Sequence, residues 1–564
     1  MTYRPLITFS HPSINARKTL NFKMFNCSSK GQAKKKNGSA PYCSVFEKNM
    51  VRFMNTSRRI KVVTSIAVTV NVLSLLWYIF YDDESDMPKN MGVISATYFE
   101  KFLIKGVQIV NNSSHHAPIQ NQSIQNNMMV VLFTAERKFR RKFRLSCLST
   151  NSTHQLLTEA KICFAYIPIG QCKWTLFMAV CFVAEQLSNF SLKSAEEYGD
   201  MAMVPFRHPV RERYNVVACL SPLFFNERWQ LLLSGLEIRK AFGVSMQVFY
   251  VNSMLKSLMD ILYKYEEIGV VSIEKWSRID FGDVKTAYDP NLELDWRNQA
   301  AAHSDCLINY KDSAEFIIVS DIDDILFPQL GPTYFEEFQV LRERTRAAAF
   351  VYERFTTEIY TGSKPVKFSL ADLLLNGVVR NKWEHGKYVA DPKYIASAWI
   401  HWPGVMKSGH KLYHVPHKTN FMPHFRKWYF DVNHSRASER GDLTKRSTQF
   451  GMPLHLLIST NDIARIQSSF MTMVSENLGV IMPTLSDKEL YYPLIEKCYN
   501  AIFYNIRTFV RQCPSPIRCE IPPIKGVHCI NTRITYNHSR LEPLLFIHYP
   551  IRSTFDESFD GCYM

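Results

Sequence analysis

Acidic residues are nearly missing from the first 61 residues of this 564-residue chain, which hold 13 Lys and Arg against one acid, Glu47. This segment contributes +12 of the formal net charge of +16, and the remaining residues carry only +4. Because clustered Lys and Arg are the usual footprint of nucleic-acid binding, the near balance of the remainder argues against a nucleic-acid partner. The mixture of apolar and charged residues, 46% and 21%, is that of a folded globular protein of one or two domains, not of a fibrous or disordered chain.

Charge is absent altogether from residues 62–80. At a rise of about 1.5 Å per residue, this run is long enough to cross a hydrocarbon core of about 30 Å. Basic residues precede it, and Trp77 and Tyr78 lie near its far end, where aromatic rings suit the membrane interface. The positive-inside rule then predicts a cytosolic tail at 1–61, a transmembrane signal anchor at 62–80 and a lumenal remainder, the topology of a single-pass type II membrane protein. For such a protein we expect the Golgi or ER membrane. A buried core helix is the alternative, and a cleaved signal peptide is less expected because its apolar region would be shorter and closer to residue 1.

The cysteines lack a C-x-x-C pair, which makes a zinc site the weaker interpretation. Eleven of the 13 cysteines follow residue 80, and an oxidising compartment would pair most of them. An odd number leaves at least one outside any intrachain disulfide. Asn-x-Ser/Thr sequons, compatible with a lumenal glycoprotein, begin at Asn111, Asn112, Asn121, Asn151, Asn189, Asn433 and Asn537.

Regular alternation of apolar segments begins near Tyr214, after a mixed region at 82–204 that we interpret as a stem and N-terminal lumenal region. Within the mixed region, 111–127 has no apolar periodicity and is predicted to be a loop, whereas 174–184 is apolar but too short to span a membrane. The alternating part predicts strands at 216–220, 244–251, 270–276 and 316–320, and helices at 227–242, 255–267 and 298–310. Strands that alternate with helices predict a parallel sheet with crossover connections. The last region, 481–564, is predicted to be a Cys-containing C-terminal extension.

An acidic turn, Asp321-Ile322-Asp323-Asp324, follows the apolar strand at 316–320 directly. Open α/β sheets bind ligands at the carboxyl ends of their strands, so a site is expected here. Three carboxylates within four residues repel one another unless a cation is present, and oxygen ligands suit Mg²⁺ or Mn²⁺. If the extended geometry persists, Asp321 and Asp323 face the same side and can share one ion. A solvated acidic loop is the alternative; an EF-hand is disfavoured because its sixth position should be Gly and is Leu326.

Cation-compatible side chains form a second group downstream, at Lys387, His401, His424 and Arg426. Histidine can supply a nitrogen ligand to a transition metal, and arginine can hold a diphosphate through two hydrogen bonds. We therefore treat this group as a candidate partner of the acidic turn, although any single histidine is more often structural.

These residues resemble the motifs of glycosyltransferase family 92. The resemblance covers roughly 205–480 and is carried by several ordered motifs, which are Asn215-Val216-Val217-Ala218-Cys219, Asn226-Glu227-Arg228-Trp229-Gln230, Val248-Phe249-Tyr250-Val251-Asn252, Ser320-Asp321-Ile322-Asp323-Asp324 with Pro328, Lys387 with Asp391-Pro392, and His424-Phe425-Arg426. It implies an α/β fold of the GT-A type in 205–480, with a mostly parallel nucleotide-sugar-binding sheet flanked by helices. One departure is Asp324, where Glu is expected in much of the family.

The resemblance also implies an activity: metal-dependent, inverting transfer of a hexose, galactose from UDP-galactose being expected, onto a glycan or glycoprotein acceptor. Asp321 and Asp323, with His401 as a further candidate, would bind Mn²⁺ or Mg²⁺, while His424, Arg426 and Lys387 would lie near the UDP-sugar.

A carboxylate base would have to deprotonate the acceptor hydroxyl, and the sequence does not identify it. Candidates that follow the acidic turn are Glu353, Glu358 and Glu384. Two other classes stay open: a catalytically inactive protein of the same fold that binds glycans or lumenal partners, and a lumenal hydrolase.

Overall fold

The computed structural model describes residues 88–102, 126–139, 143–168, 171–195, 200–431, 451–504 and 512–564. The predicted cytosolic tail, the predicted anchor at 62–80, most of the predicted loop at 111–127 and the sequons at Asn111, Asn112, Asn121 and Asn433 lie outside these residues. Among the helices that fall within these ranges, none is both long and apolar enough to cross a membrane.

The strands before the predicted catalytic region are β1 (Lys89–Phe102), β2 (Asn126–Glu136), β3 (Leu145–Thr150), β4 (Gln155–Glu159), β5 (Lys161–Phe164), β6 (Trp174–Val183), β7 (Asn189–Ser194) and β8 (Ala202–Met203). Those that follow are β9 (Tyr214–Leu220), β10 (Met246–Val251), β11 (Ser253–Leu255), β12 (Val271–Lys275), β13 (Ala314–Ser320), β14 (Ala349–Thr361), β15 (Val378–Ala390), β16 (Ile395–Ala398), β17 (Pro403–Met406), β18 (Leu412–Val415), β19 (Met422–Phe430), β20 (Gly451–Pro453), β21 (Cys529–Glu542) and β22 (Leu545–Ser558).

The α-helices of the described residues are α1 (Trp229–Ala241), α2 (Lys256–Glu267), α3 (Gln299–Asn309), α4 (Tyr334–Thr345), α5 (Leu370–Asn376), α6 (Thr460–Met473) and α7 (Tyr492–Tyr499). The strands and helices predicted between 214 and 320 are all present, with ends that shift by one or two residues. The apolar segment at 174–184 is β6, a mostly buried strand.

A nine-stranded sheet contains the predicted parallel strands in the order β12-β10-β9-β13-β15-β14-β18, with β19 paired to β14 and β20 to β15. Strands β12, β10, β9 and β13 are parallel to one another, whereas β15 runs antiparallel to both β13 and β14. Strand β10 and the last five residues of β9 and β13 are fully buried, as expected for parallel strands covered on both faces.

Side-chain alternation along β9 divides the core into two layers. Val216 and Ala218 pack with apolar residues of α1, α2 and α4 on one face of the sheet. Val217 and Cys219 pack on the other face against the Ala-rich helix α3, and the Cys219–Cys306 disulfide joins β9 to that helix. The start of α3 is thereby held near the carboxyl end of β13.

Two further sheets, which the sequence did not predict, are largely antiparallel. A seven-stranded sheet has the order β11-β21-β22-β1-β2-β6-β5, and a four-stranded sheet the order β4-β3-β7-β8. The hairpin of β21 and β22 lies between β11 and β1, so residues of the predicted C-terminal extension share a sheet with the N-terminal region. The chain is a mixed α/β protein; the predicted domain boundaries at 204/205 and 480/481 stay predictions.

Ten of the eleven cysteines that follow residue 80 form disulfides, in agreement with the predicted pairing of most of them. The bonds are Cys147–Cys181, Cys172–Cys513, Cys219–Cys306, Cys498–Cys519 and Cys529–Cys562. Cys163, on β5, is the eleventh. The Cys172–Cys513 bond closes the longest loop, between two regions 341 residues apart in the chain.

Candidate active site

The acidic turn begins where β13 ends, in the centre of the nine-stranded sheet. Asp324 donates its backbone N–H to the carbonyl oxygen of Asp321 at 3.2 Å, so the chain bends here and the extended geometry does not persist. The condition for Asp321 and Asp323 to face one side as in a strand is therefore not met, and their sharing of one ion stays a prediction.

Arg239 of α1 fixes the backbone of this turn. Its guanidinium donates to the carbonyl oxygens of Asp321, Ile322 and Asp324 at 3.3, 2.7 and 3.1 Å. The side chain is buried. Gly235, one helical turn earlier, leaves room for it, since a Cβ there would lie 2.6 Å from Arg239 Nη1. A buried cation that satisfies three carbonyl groups makes the turn rigid.

Asp321 is held by polar groups from three elements. Its Oδ1 accepts from Gln299 Nε2 of α3 at 2.6 Å, and its Oδ2 lies 3.0 Å from Lys387 Nζ of β15 and 3.5 Å from Arg354 Nη1 of β14. Burial alone would raise the pKa of this carboxyl, but Lys387 and Arg354 hold the pKa below its usual value. Asp321 is thus an ionised group whose charge is stabilised by Lys387 and, at a longer distance, by Arg354.

Asp323 contacts His424 of β19, and the two residues are 101 positions apart in the chain. Asp323 Oδ2 and His424 Nε2 are 3.0 Å apart, and His424 Nδ1 is 2.8 Å from Glu384 Oε2. The backbone fixes the approach, because Phe425 N donates to Asp323 O at 2.8 Å. Although burial disfavours the charged ring, Asp323 and Glu384 raise the pKa of His424 to about 10.

Asp324 is the buried carboxylate of the turn. Its side chain is 0% exposed, its Oδ2 accepts the backbone N–H of Asp321 at 3.0 Å, and its Oδ1 lies 3.1 Å from Arg354 Nη1. Burial raises the pKa of this carboxyl, and Arg354 opposes the shift. These contacts mark Asp324 as a residue that closes the turn and neutralises Arg354.

The predicted metal site can be tested against these atoms. Ligand atoms of Asp323, Asp324 and His424 lie within 4.8 Å of one another, and carboxylate oxygen with imidazole nitrogen is a donor set that suits Mn²⁺. Glu384 accepts from the other ring nitrogen of His424, the arrangement that usually orients a histidine ligand. The residues therefore fit a divalent metal, with Asp323 as the partly exposed ligand and the buried His424 as a ligand through its neutral ring.

Other predicted residues lie at various places around this centre. His401 is not in the cluster of ligand atoms; its Nδ1 contacts the Gly386 carbonyl oxygen at 2.9 Å. Arg426 reaches both oxygens of Glu384 at 3.3 Å, and so borders the site. Glu358 is buried and paired with Arg380.

The remaining candidate base, Glu353, is partly exposed and lies 3.4 Å from the exposed His417. Glu384 is a poor candidate for the catalytic base because of its lowered pKa. Burial raises its pKa, but His424, Thr356 and Arg426 more than offset this and lower the pKa below the usual value, which weakens the group as a proton acceptor.

A small cleft opens at the carboxyl ends of β9, β10 and β12. It is lined by Pro222, Asn252, Trp276, Ser277, Arg278, Ile279, Asn291, Leu294, Arg297, Asn298, Ile517 and Met564. Trp296, Arg297 and Asn298 have φ values of 43°, 57° and 61°, a left-handed run that L-residues rarely adopt and that often marks a functional site. Gln299 follows this run and bonds Asp321, so the cleft adjoins the acidic turn.

Three residues of the site were missed from the sequence: Arg239, Gln299 and Arg354. Arg239 gave no distinct signal, because Glu237 and Lys240 are charged residues of the same helix. Gln299 and Arg354 gave none, because their partners are brought close only by the fold.

The acidic turn lies at the carboxyl edge of parallel strands, where open α/β sheets bind ligands. The family model described as glycosyltransferase family 92 matches residues 214–474. One family 92 protein of Caenorhabditis elegans is 34% identical over 491 residues, covering 83% of this chain and 88% of the relative. Another from the same organism is 30% identical over 452 residues, covering 78% and 88%. The protein is therefore a glycosyltransferase by class.

The chain belongs to glycosyltransferase family 92, which confirms the resemblance seen in the sequence. Among solved structures, the crystal structure of Staphylococcus aureus TarS residues 1–349 aligns with a TM-score of 0.21 and 8% identity, covering 47% of this chain and 73% of that one. A likeness this low carries no argument about the fold.

Proposed function

We propose that this glycosyltransferase is metal-dependent and transfers a hexose with inversion from a nucleotide-sugar, UDP-galactose being the first donor to test, onto a glycan or glycoprotein acceptor. The observation that carries the proposal is the Asp323 and His424 pair, 3.0 Å apart at the carboxyl end of β13. Such sheet edges are where α/β proteins bind nucleotide ligands.

Asp323 and His424 are the residues that would hold Mn²⁺ or Mg²⁺, with Asp324 beside them. When bound, the metal would neutralise the charge that develops on the departing diphosphate. Asp321 stays a predicted ligand, but its oxygens already contact Gln299, Lys387 and Arg354. We therefore assign the metal to Asp323 first.

Other residues of the chain would bind the nucleotide and orient His424. The nucleotide occupies the cleft beside β9, β10 and β12, and Arg426 lies at the opposite border, where its charge can meet a phosphate oxygen. Glu384 is a positioning residue: it accepts from His424 Nδ1 at 2.8 Å and from Thr356 Oγ1 at 2.8 Å, which fixes the imidazole.

The proposed location is the lumen of the Golgi or ER, with the protein held as a type II membrane protein through residues 62–80. Its support is chemical. Five disulfides among the described residues need an oxidising compartment to form and persist, and the exposed sequons at Asn189 and Asn537 are accessible to glycan addition.

The test is a thermal-shift experiment on the full-length chain in detergent with UDP, with Mn²⁺, and with both. A ligand that binds only the folded state raises the melting temperature, so we expect the largest rise when both are present. Asp323→Ala should abolish the extra rise, whereas Glu353→Ala, which alters a partly exposed carboxylate elsewhere on β14, should keep it. No rise with UDP under any condition would favour the inactive glycan-binding protein, and an equal rise with EDTA would reject the metal.

A further inference from the structure

Five ring side chains form a continuous surface beside the acidic turn. We call this the aromatic surface, and its members are Trp383, His385, Trp399, His401 and Trp402. Ring centroids are 5.1 Å apart for Trp383 and His385, 5.5 Å for His385 and His401, 6.0 Å for His401 and Trp402, and 4.3 Å for Trp399 and Trp402. Two residues come from β15 and three from the turn of the β16–β17 hairpin.

The outer rings of this surface are open to solvent. Trp383 is 52% exposed and Trp402 is 39% exposed. Tryptophan is usually well buried in proteins, and contiguous exposed apolar groups commonly mark a ligand or partner site. Two exposed indoles on separate elements, joined by a chain of ring contacts, therefore need a functional explanation.

Polar contacts fix the aromatic surface to the active site. Lys387 Nζ lies 3.0 Å from Asp321 Oδ2 and donates to the carbonyl oxygen of Ile400 at 3.2 Å. Trp399 Nε1 donates to the buried Asp295 at 3.3 Å, one residue before the left-handed run that lines the cleft. The hairpin turn is thus held on the same scaffold as the acidic turn.

Trp383 and His385 of the aromatic surface lie on the other side of β13 from the cleft. The cleft lies at the ends of β9, β10 and β12, on one side of β13, whereas Trp383 and His385 belong to β15, on the other side. An inverting displacement needs the acceptor to approach the sugar carbon from the side opposite the leaving diphosphate. The acidic turn after β13 lies between the two regions, as such a geometry requires.

We propose that the aromatic surface binds the acceptor glycan by stacking Trp383 and Trp402 on pyranose rings. Pyranoses such as β-galactose carry C–H groups without hydroxyls on part of one face, and this face packs on an indole ring as other apolar groups do. The inference rests on the proposed transferase function, since it takes the acidic turn as the donor side.

The experiment measures binding of the full-length chain in detergent to a printed array of oligosaccharides ending in β-galactose, β-N-acetylglucosamine or α-fucose. Trp383→Ala and Trp402→Ala should each weaken binding about tenfold or more, since tryptophan is among the side chains whose truncation costs a binding surface most. Trp383→Phe should restore part of it. Phe559→Ala is the matched control, because Phe559 is 66% exposed and stacks on His528, outside the aromatic surface.

The thermal shift with UDP and Mn²⁺ distinguishes failure of the proposed acceptor site from failure of the proposed transferase function. The inference is supported if both Trp→Ala variants lose glycan binding while that shift is unchanged. It is overturned if they bind the array as the wild type does, or if the wild type binds no printed glycan. Absence of the shift in the wild type would count against the proposed transferase itself.

Discussion

Asp323 and Asp324 are adjacent in sequence, yet the structure predicts different effects on stability when each is replaced by Ala. Asp324 is 0% exposed and pairs with Arg354, which is only 9% exposed, at 3.1 Å. Removing one partner of a buried ion pair typically costs about 3–5 kcal/mol, because the other charge stays buried. Arg354 keeps weaker contacts with Asp321 at 3.5 Å and Glu384 at 3.9 Å, so we expect the lower end, about 3 kcal/mol.

Asp323 should behave differently because its side chain is 26% exposed and its partner His424 also contacts Glu384. Its loss also relieves repulsion by Asp321, which opposes the loss of the pair. We expect Asp323→Ala to be less destabilising than Asp324→Ala, because the buried His424 keeps its contact with Glu384 at 2.8 Å, while abolishing sugar transfer.

The assay compares urea-unfolding midpoints and UDP-galactose turnover for wild type, Asp323→Ala, Asp324→Ala and Asp324→Asn. The Asn variant keeps an acceptor for the Asp321 N–H but removes the charge, so its stability should lie between wild type and Asp324→Ala. The reasoning is refuted if Asp324→Ala unfolds at the wild-type midpoint, or if Asp323→Ala is destabilised as much as Asp324→Ala.

Two further predictions concern the groups that hold the turn in place. Arg239→Met should lower transfer by about tenfold to a hundredfold, because three turn carbonyls lose a charged donor worth about 1.5–3 kcal/mol; steady-state kinetics would show this, and full activity of Arg239→Met would contradict the assigned role. Replacing both Cys219 and Cys306 by Ala should cost about 2–4 kcal/mol, because the disulfide closes a loop of 87 residues. The melting temperature should fall, and an unchanged value would mean that the bond does not constrain the unfolded chain.

Local sequence patterns were sufficient to locate the sheet edge that carries the site. Strands such as 316–320 are predicted by unbroken apolar character, and helices such as 229–241 by an apolar stripe, and both signals act over a few residues. The acidic turn was found for the same reason, since a run of carboxylates after a buried strand is visible without any long-range contact. Metal binding by that turn stays a prediction.

Contacts between residues that are far apart in the sequence could not be predicted from such patterns. Glu384 was considered as a base and is instead bonded to His424, because β15 and β19 both flank β14 in the sheet. The mainly antiparallel second sheet was also missed, since the pairing of β22 with β1 joins residues more than 450 positions apart in the chain, and loop closure over that distance leaves no periodic signal.

The amino-acid order was enough to predict the strands and helices between 214 and 320, the carboxylates that follow a buried strand, and the family resemblance, because each depends on residues that are close together in the chain. The contacts of Asp321 with Lys387 and Arg354, the burial of Asp324 and the pairing of Asp323 with His424 became visible only in the folded chain. The physical reason is that burial and charge pairing depend on which side chains the packed sheet brings within a few ångströms, and the same adjacent carboxylates acquire different environments once Arg239 bends the backbone between them.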